Sequence, residues 1–217
     1  MKTIKYPHKL FVTGTGTDVG KSYATGWLSR TILENGETCI TQKLIQTGNI
    51  GYSEDIILHR KIMGSGLLQE DMEFISCPVI FSYPASPDLA SRIDGKKIDF
   101  KIIEESTEIL ASRFDHVLIE GAGGLMVPIE GEFLMADYVK KYDLPLFLVV
   151  SGQLGSINHA LLSLNAVQSY GIDLFAVIYN PYFDKDPVIV PDTREYLKNW
   201  LHIHFPSALW LDMPDKL

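Results

Sequence analysis

Apolar and polar positions follow two rhythms along this chain. Short, nearly continuous apolar runs suit strands covered on both faces, and apolar residues recurring every three or four positions suit helices with one buried stripe. Lys9 to Thr13 reads as a strand and Lys21 to Leu33 as a helix, with Asn35-Gly36 as its stop. Thr38 to Gln42 is a second strand, Lys43 to Ser53 a loop, and Glu54 to Met63 a helix. Pro78 to Tyr83 is extended. It leads into Pro84-Ala85-Ser86-Pro87, a loop or helix entry, because each proline disfavours helix before it. Phe100 to Phe114 is an amphipathic helix and His116 to Glu120 a strand. Helices at Ala136 to Tyr142, Ser156 to Tyr170 and Asp192 to Leu201 then alternate with strands at Leu144 to Val150 and Leu174 to Tyr179.

This order predicts an α/β fold, a single domain over residues 1–217 with a mostly parallel sheet and helices on both faces. In such sheets ligands bind beyond the carboxyl ends of the strands. Polar, glycine-rich segments follow five predicted strands, at 14–22, 43–51, 120–124, 151–158 and 180–184, and so gather on one rim.

The first of these carries the most chemistry. In Phe11-Val12-Thr13-Gly14-Thr15-Gly16-Thr17-Asp18-Val19-Gly20-Lys21-Ser22 a strand enters a glycine-rich turn that ends in Gly-Lys-Ser and opens a helix. That is how a phosphate-binding loop is built: backbone N–H groups converge on phosphate oxygens, the lysine reaches the terminal phosphates, and the serine hydroxyl ligates Mg²⁺. Gly16, Asp18, Val19, Gly20, Lys21, Ser22 and Tyr23 are its candidate nucleotide contacts. Five residues separate Gly14 from Gly20, one more than the usual pattern.

Glu120 ends a strand just before Gly121-Ala122-Gly123-Gly124, where a carboxylate commonly ligates or orients Mg²⁺. Asp55, in the first turn of a helix, is a second candidate carboxylate. Lys43 ends the second strand, beside the expected phosphates, where an ammonium can neutralise a transferring phosphoryl group, and Thr47 is a polar contact in the loop that follows. The histidines suggest no metal site: His59 lies on a helix as a surface or packed residue, and His202-Ile203-His204 has strand-like spacing without a third ligand.

Composition narrows the partners. The 217 residues are 46% hydrophobic and 21% charged, ordinary for a globular protein, and the net charge of −8 argues against nucleic acid or anionic membrane as a partner. Cys39 and Cys77 sit in apolar stretches and read as buried reduced thiols. The first eight residues lack the apolar core of a signal peptide, and no run is long enough to span a membrane, so a cytoplasmic location is expected.

Together these segments resemble dethiobiotin synthetases, a family with a P-loop NTPase-like fold. The resemblance rests on the phosphate loop with its extra residue, Lys43-x-x-Gln46-Thr47-Gly48, Ser53-Glu54-Asp55, Pro84-x-Ser86-Pro87-x-Leu89-Ala90, Glu120-Gly121-Ala122-Gly123-Gly124 and Leu154-Gly155-Ser156-Ile157-Asn158-His159. It implies a homodimer that uses ATP, Mg²⁺, CO₂ and 7,8-diaminononanoate. Residue by residue, Lys21 and Lys43 would stabilise a carbamate and the transferring phosphoryl, and Ser22, Asp55 and Glu120 would surround Mg²⁺. Thr17, counted with those lysines in catalysis, and Thr47 would contact the diamine or its carbamate. Gly155, Ser156 and Asn158, with Tyr196 nearby, would hold the substrate carboxylate across the dimer interface, and Asn180 would read the base. Leu44, Asp88 and the stretch Tyr182-Phe183-Asp184-Lys185 depart from the family pattern, and a weakly discriminating base site is expected.

Three other functions share parts of this pattern. An ATP-driven switch of the same superfamily would carry a signature lysine five residues before the loop lysine, where this chain has Gly16. A glutamine-dependent amide ligase needs an extra domain that 217 residues do not accommodate. A nucleotide-binding regulator without catalysis would not need Lys21, Lys43, Asp55 and Glu120 together.

Overall fold

The computed structural model describes residues 4–215; Met1 to Thr3, part of the amino-terminal segment read above, and the last two residues lie outside them. The chain runs β1 (Lys9–Gly14), α1 (Lys21–Glu34), β2 (Cys39–Lys43), β3 (Gln46–Thr47), α2 (Glu54–Met63), α3 (Gln69–Met72), β4 (Ile80–Phe81), α4 (Pro87–Asp94) and α5 (Phe100–Arg113). It continues β5 (His116–Glu120), β6 (Pro128–Glu130), β7 (Phe133–Leu134), α6 (Met135–Lys141), β8 (Leu146–Ser151), α7 (Ser156–Tyr170), β9 (Leu174–Asn180), a 3₁₀ turn, α8 (Ile189–His204) and β10 (Leu209–Asp212).

Six strands form one parallel sheet in the order β10-β9-β8-β1-β5-β2. From β1 the chain crosses to β2, returns to β5 in between, and then moves to the other side for β8. The winding therefore reverses at β1, where open α/β sheets bind their ligands. Period-two alternation along the strands builds two cores. Leu10, Val12, Leu118 and Phe147 face α1 through Ala24, Leu28 and Ile32. Phe11, Val117, Ile119 and Leu148 face α5 to α8 through Ile103, Leu110, Val139, Leu164 and Leu197. The expected doubly covered sheet is present.

Helix starts divide into two kinds. Ser53 and Asp99 accept bonds from the first-turn N–H groups of α2 and α5, satisfying donors that a helix cannot pair internally. By contrast, α1 and α7 begin on left-handed Gly20 and Gly155 with no side-chain cap. The first N–H groups of α1 are left for a ligand or solvent, whereas at α7 the Ser156 N–H already donates to the Gln153 carbonyl at 2.9 Å.

Several boundaries differ from the sequence expectation. The second strand is Cys39–Lys43, so Lys43 is a buried strand residue rather than the start of a loop. The loop after it holds β3, which pairs in parallel with β4. Pro84 to Pro87 opens α4, with Ser86 at the N-cap and Pro87 in the first turn, where a missing N–H is harmless. The last helix starts earlier and ends later, at Ile189 and His204. Pro191 sits in its first turn, and His202 and His204 are helical rather than extended. The β6–β7 hairpin and the edge strand β10 were not anticipated; two to four residues carry too little periodicity to read. Among the described residues no helix is long and apolar enough to cross a membrane. Cys39 and Cys77 are buried and unpaired, and burial pushes both thiols up to about 12.

Candidate active site

The phosphate loop leaves β1 at Gly14 and enters α1 through Gly20, whose φ of 94° suits a residue without a side chain. A Cβ at Gly20 would press into the Asn180 amide, which itself donates to the Val19 carbonyl at 2.9 Å. The last sheet loop thereby fastens the first. Lys21 Nζ folds back onto the Gly16 carbonyl at 2.9 Å. Burial and the nearby Lys43 ammonium push the Lys21 pKa down, against the pull of Glu120, Asp55 and Asp18. Added anionic charge would be favourable here.

At the centre, Lys43 and Glu120 stand opposite each other in the β2–β5 ladder. Lys43 Nζ lies 2.6 Å from Asp55 Oδ2 and 2.8 Å from Glu120 Oε1, and donates to the Gly121 carbonyl at 3.1 Å. All three ammonium protons are thus engaged, and reaching a substrate oxygen means exchanging one partner. Burial by itself lowers the Lys43 pKa and raises that of Glu120. Mutual attraction, with Asp55 and His59 adding to it, reverses both, so Lys43 stays charged and Glu120 stays ionised well below the usual carboxylate range.

Ser22 Oγ lies 2.8 Å from Asp55 Oδ1 and 2.9 Å from Glu120 Oε1. One hydroxyl proton cannot serve both oxygens. The result is a cluster of hard oxygen donors with a proton missing, which suits Mg²⁺. Among the described residues no group of three or more His, Cys, Asp or Glu is arranged to hold a metal ion by itself. Mg²⁺ held mainly by phosphates and water needs only one or two carboxylates.

One cavity of about 700 Å³ gathers Thr17, Asp18, Gly20, Lys21, Ser22, Tyr23, Lys43, Thr47, Asp55, Glu120, Ala122 and Gly123. Pro84 to Pro87 forms its lip. Gly16, Val19 and Gly121 stand behind this wall, contributing carbonyls to Lys21, Asn180 and Lys43. Asn180 is only 2% exposed, at the edge of a second cavity with Tyr23, Tyr182, Phe183 and Met213. Its amide is engaged by backbone, Nδ2 with Val19 and Oδ1 with Tyr182 N–H, which limits what it can offer a base. Gly155 and Asn158 line a separate groove with Val188 and Thr193. Ser156 Oγ is buried without a partner, and neither Ser156 nor the half-exposed Tyr196 lines any of the three cavities. Within one chain, this group and the phosphate loop are apart.

A model of the AAA domain family matches residues 8–204. An ATP-dependent dethiobiotin synthetase of Pasteurella multocida is 46% identical over 92% of this chain and 94% of its own length. Another, from Haemophilus influenzae, is 49% identical over 83% of this chain and 95% of its own. The chain belongs to the dethiobiotin synthetase family. The fold also resembles that of a ParA family ATPase from Chlorobium tepidum, with a TM-score of 0.52 and 13% identity over 96% of this chain and 85% of that one.

Within this dethiobiotin synthetase fold the sequence reading missed His59 as a site residue. The imidazole is completely buried and its Nε2 lies 2.8 Å from Glu120 Oε2. A signal was available: His59 is four positions after Asp55, so both lie on one face of α2. Gln46 was also unassigned; it lines the cavity and accepts from Ser53 Oγ at 2.5 Å.

Proposed function

We propose that this protein is an ATP- and Mg²⁺-dependent ligase that joins CO₂ to 7,8-diaminononanoate and closes the cyclic urea of dethiobiotin. One substrate amine forms an N–C bond to CO₂ and loses a proton, giving a carbamate. A carbamate oxygen attacks the γ-phosphorus of ATP and ADP leaves. The second amine attacks the carbonyl carbon of the mixed anhydride, and phosphate leaves with the closing of the ring.

The observation that carries this reading is the meeting of Lys21, Lys43, Ser22, Asp55 and Glu120 in one cavity, in a chain of this family. The chemistry needs crowded anions aligned and neutralised more than it needs a proton carrier. Lys21 and Lys43 supply the positive charge, and the uncapped start of α1 supplies N–H donors. Ser22, Asp55 and Glu120 would hold Mg²⁺, which supplies charge neutralisation at the triphosphate when bound. Thr17 and Thr47 border the same space and would orient the carbamate.

The reading includes a homodimer. Leu154 is 81% and Val188 76% exposed beside the groove of Gly155 and Asn158. Docking a second copy there would bury this apolar surface and bring Gly155 and Asn158 to the other chain's site. The reading also makes the chain a single catalytic domain working in the cytoplasm. Steady-state ADP release tests it: release should require diamine and bicarbonate together. ADP release indifferent to both, and stimulated instead by another protein, would favour a switch.

A further inference from the structure

Behind the carboxylates runs a chain of buried polar side chains that the proposed reaction does not use. His59 Nδ1 lies 3.0 Å from Thr41 Oγ1, and Thr41 Oγ1 accepts from Arg60 Nη1 at 2.8 Å. Arg60 is held in turn by two parallel bonds to Asp71, Nε to Oδ2 and Nη2 to Oδ1, each 2.8 Å. The partners set the direction of this chain. A guanidinium only donates, so Thr41 Oγ1 is its acceptor. Glu120 is an ionised carboxylate that only accepts, so the imidazole presents its Nε2–H to Oε2 at 2.8 Å, and in the neutral ring Nδ1 accepts the Thr41 proton.

We propose that His59 is a positioning residue that fixes Glu120 Oε2 through its Nε2–H, so that Oε1 alone is turned toward Ser22 and Lys43. His59 does not line the cavity and acts only through Glu120. Glu120 has no exposed surface, so without this donor Oε2 is a charged oxygen that water does not reach. The charged donor that remains against this carboxylate is Lys43. A carboxylate free to turn would give Lys43 both oxygens, holding the ammonium away from substrate and withdrawing Oε1 from Ser22. Close packing supports the placement: a Cβ on Gly26 of α1 would come within 3.3 Å of the His59 backbone, so α2 sits tightly on α1.

The proposal rests on reading the cavity as a Mg²⁺-nucleotide site. Its test is a Mg²⁺ titration of fluorescent ADP-analogue binding to the full chain as wild type, His59→Gln, His59→Asn and His59→Leu. A glutamine amide reaches the place of Nε2 and donates; asparagine is too short, and leucine donates nothing. The half-saturating Mg²⁺ concentration should rise about ten-fold or more in the asparagine and leucine variants and stay near wild type in the glutamine variant. Affinity for the analogue without metal should not change. Should the leucine variant fail to fold, the glutamine–asparagine pair still decides.

Equal Mg²⁺ requirements in the glutamine and asparagine variants would overturn the proposal, as would parallel loss of metal-free binding. A second readout needs no ligand: ¹⁵N spectra of the free protein should show His59 protonated on Nε2, and a proton on Nδ1 alone would overturn it. The titration contains no diamine. A protein that shows the expected His59 pattern but forms no dethiobiotin would refute the reaction and not the role of His59.

Discussion

Lys43 and Glu120 are 77 positions apart in the chain, yet they face each other across the β2–β5 ladder with Nζ 2.8 Å from Oε1. A parallel sheet register, not a loop, aligns the proposed catalytic ammonium with the carboxylate that holds it. The alignment is rigid because both residues are buried.

Lys43→Ala should keep nucleotide binding, since Lys21 and the loop backbone are untouched, and lose most turnover. A fall in kcat of about 10²–10³ is expected, the usual effect of removing one charge-stabilising donor. Steady-state kinetics beside a nucleotide titration checks this, and unchanged turnover would remove Lys43 from its role.

The Arg60–Asp71 pair anchors α2 and should show in the pH dependence of stability. Burial alone would raise the Asp71 pKa; the Arg60 hydrogen bonds and charge, with Ser76 and the Leu68 N–H, hold it below its ordinary 3.8. A depressed folded-state value means that the stabilisation is complete above the ordinary value and is lost as pH falls through the lower one. Asp71→Asn should therefore cost about 3–5 kcal/mol near neutral pH, because it leaves a buried guanidinium unpaired. In urea unfolding the gap from wild type should narrow below about pH 4. A gap that widens in acid would contradict this.

The fold was largely legible because strands and helices alternate with clean period changes and punctuation such as Asn35-Gly36. The missed pieces, β6, β7 and β10, are short and half-exposed, so they carry no pattern of their own. Lys21, Ser22 and Asp55 were legible from local motifs, since loop and helix starts place them. For His59 the sequence shows only a shared helix face with Asp55; its partners Thr41 and Glu120 lie on β2 and β5, and only the sheet register brings them under α2. Asn180 was legible in place, while the engagement of its amide by Val19 and Tyr182 depends on how two distant loops pack.

Gly20 should tolerate no side chain. Its φ of 94° costs an L-residue about 1–2 kcal/mol, and a methyl group would displace the Asn180 amide from Val19. Gly20→Ala is expected to lower the urea midpoint and to weaken ATP, GTP and CTP alike. A variant that lost only one of these nucleotides would show that Asn180 reads the base directly.

Base selectivity should be weak. The cavity beside the phosphate loop presents Tyr23, Tyr182, Phe183 and Met213, surfaces that suit stacking more than edge recognition. Competition by ATP, GTP and CTP should fall within about ten-fold, or about 1.4 kcal/mol. A strong ATP preference would contradict this picture of the base site.

The most direct test follows carbon from bicarbonate. Purified protein is incubated with 7,8-diaminononanoate, ¹³C-bicarbonate, Mg²⁺ and ATP, and the products are read by mass spectrometry. Dethiobiotin carrying the label, absent when diamine or ATP is withheld, is the expected result. No labelled dethiobiotin with any nucleoside triphosphate would contradict the ligase.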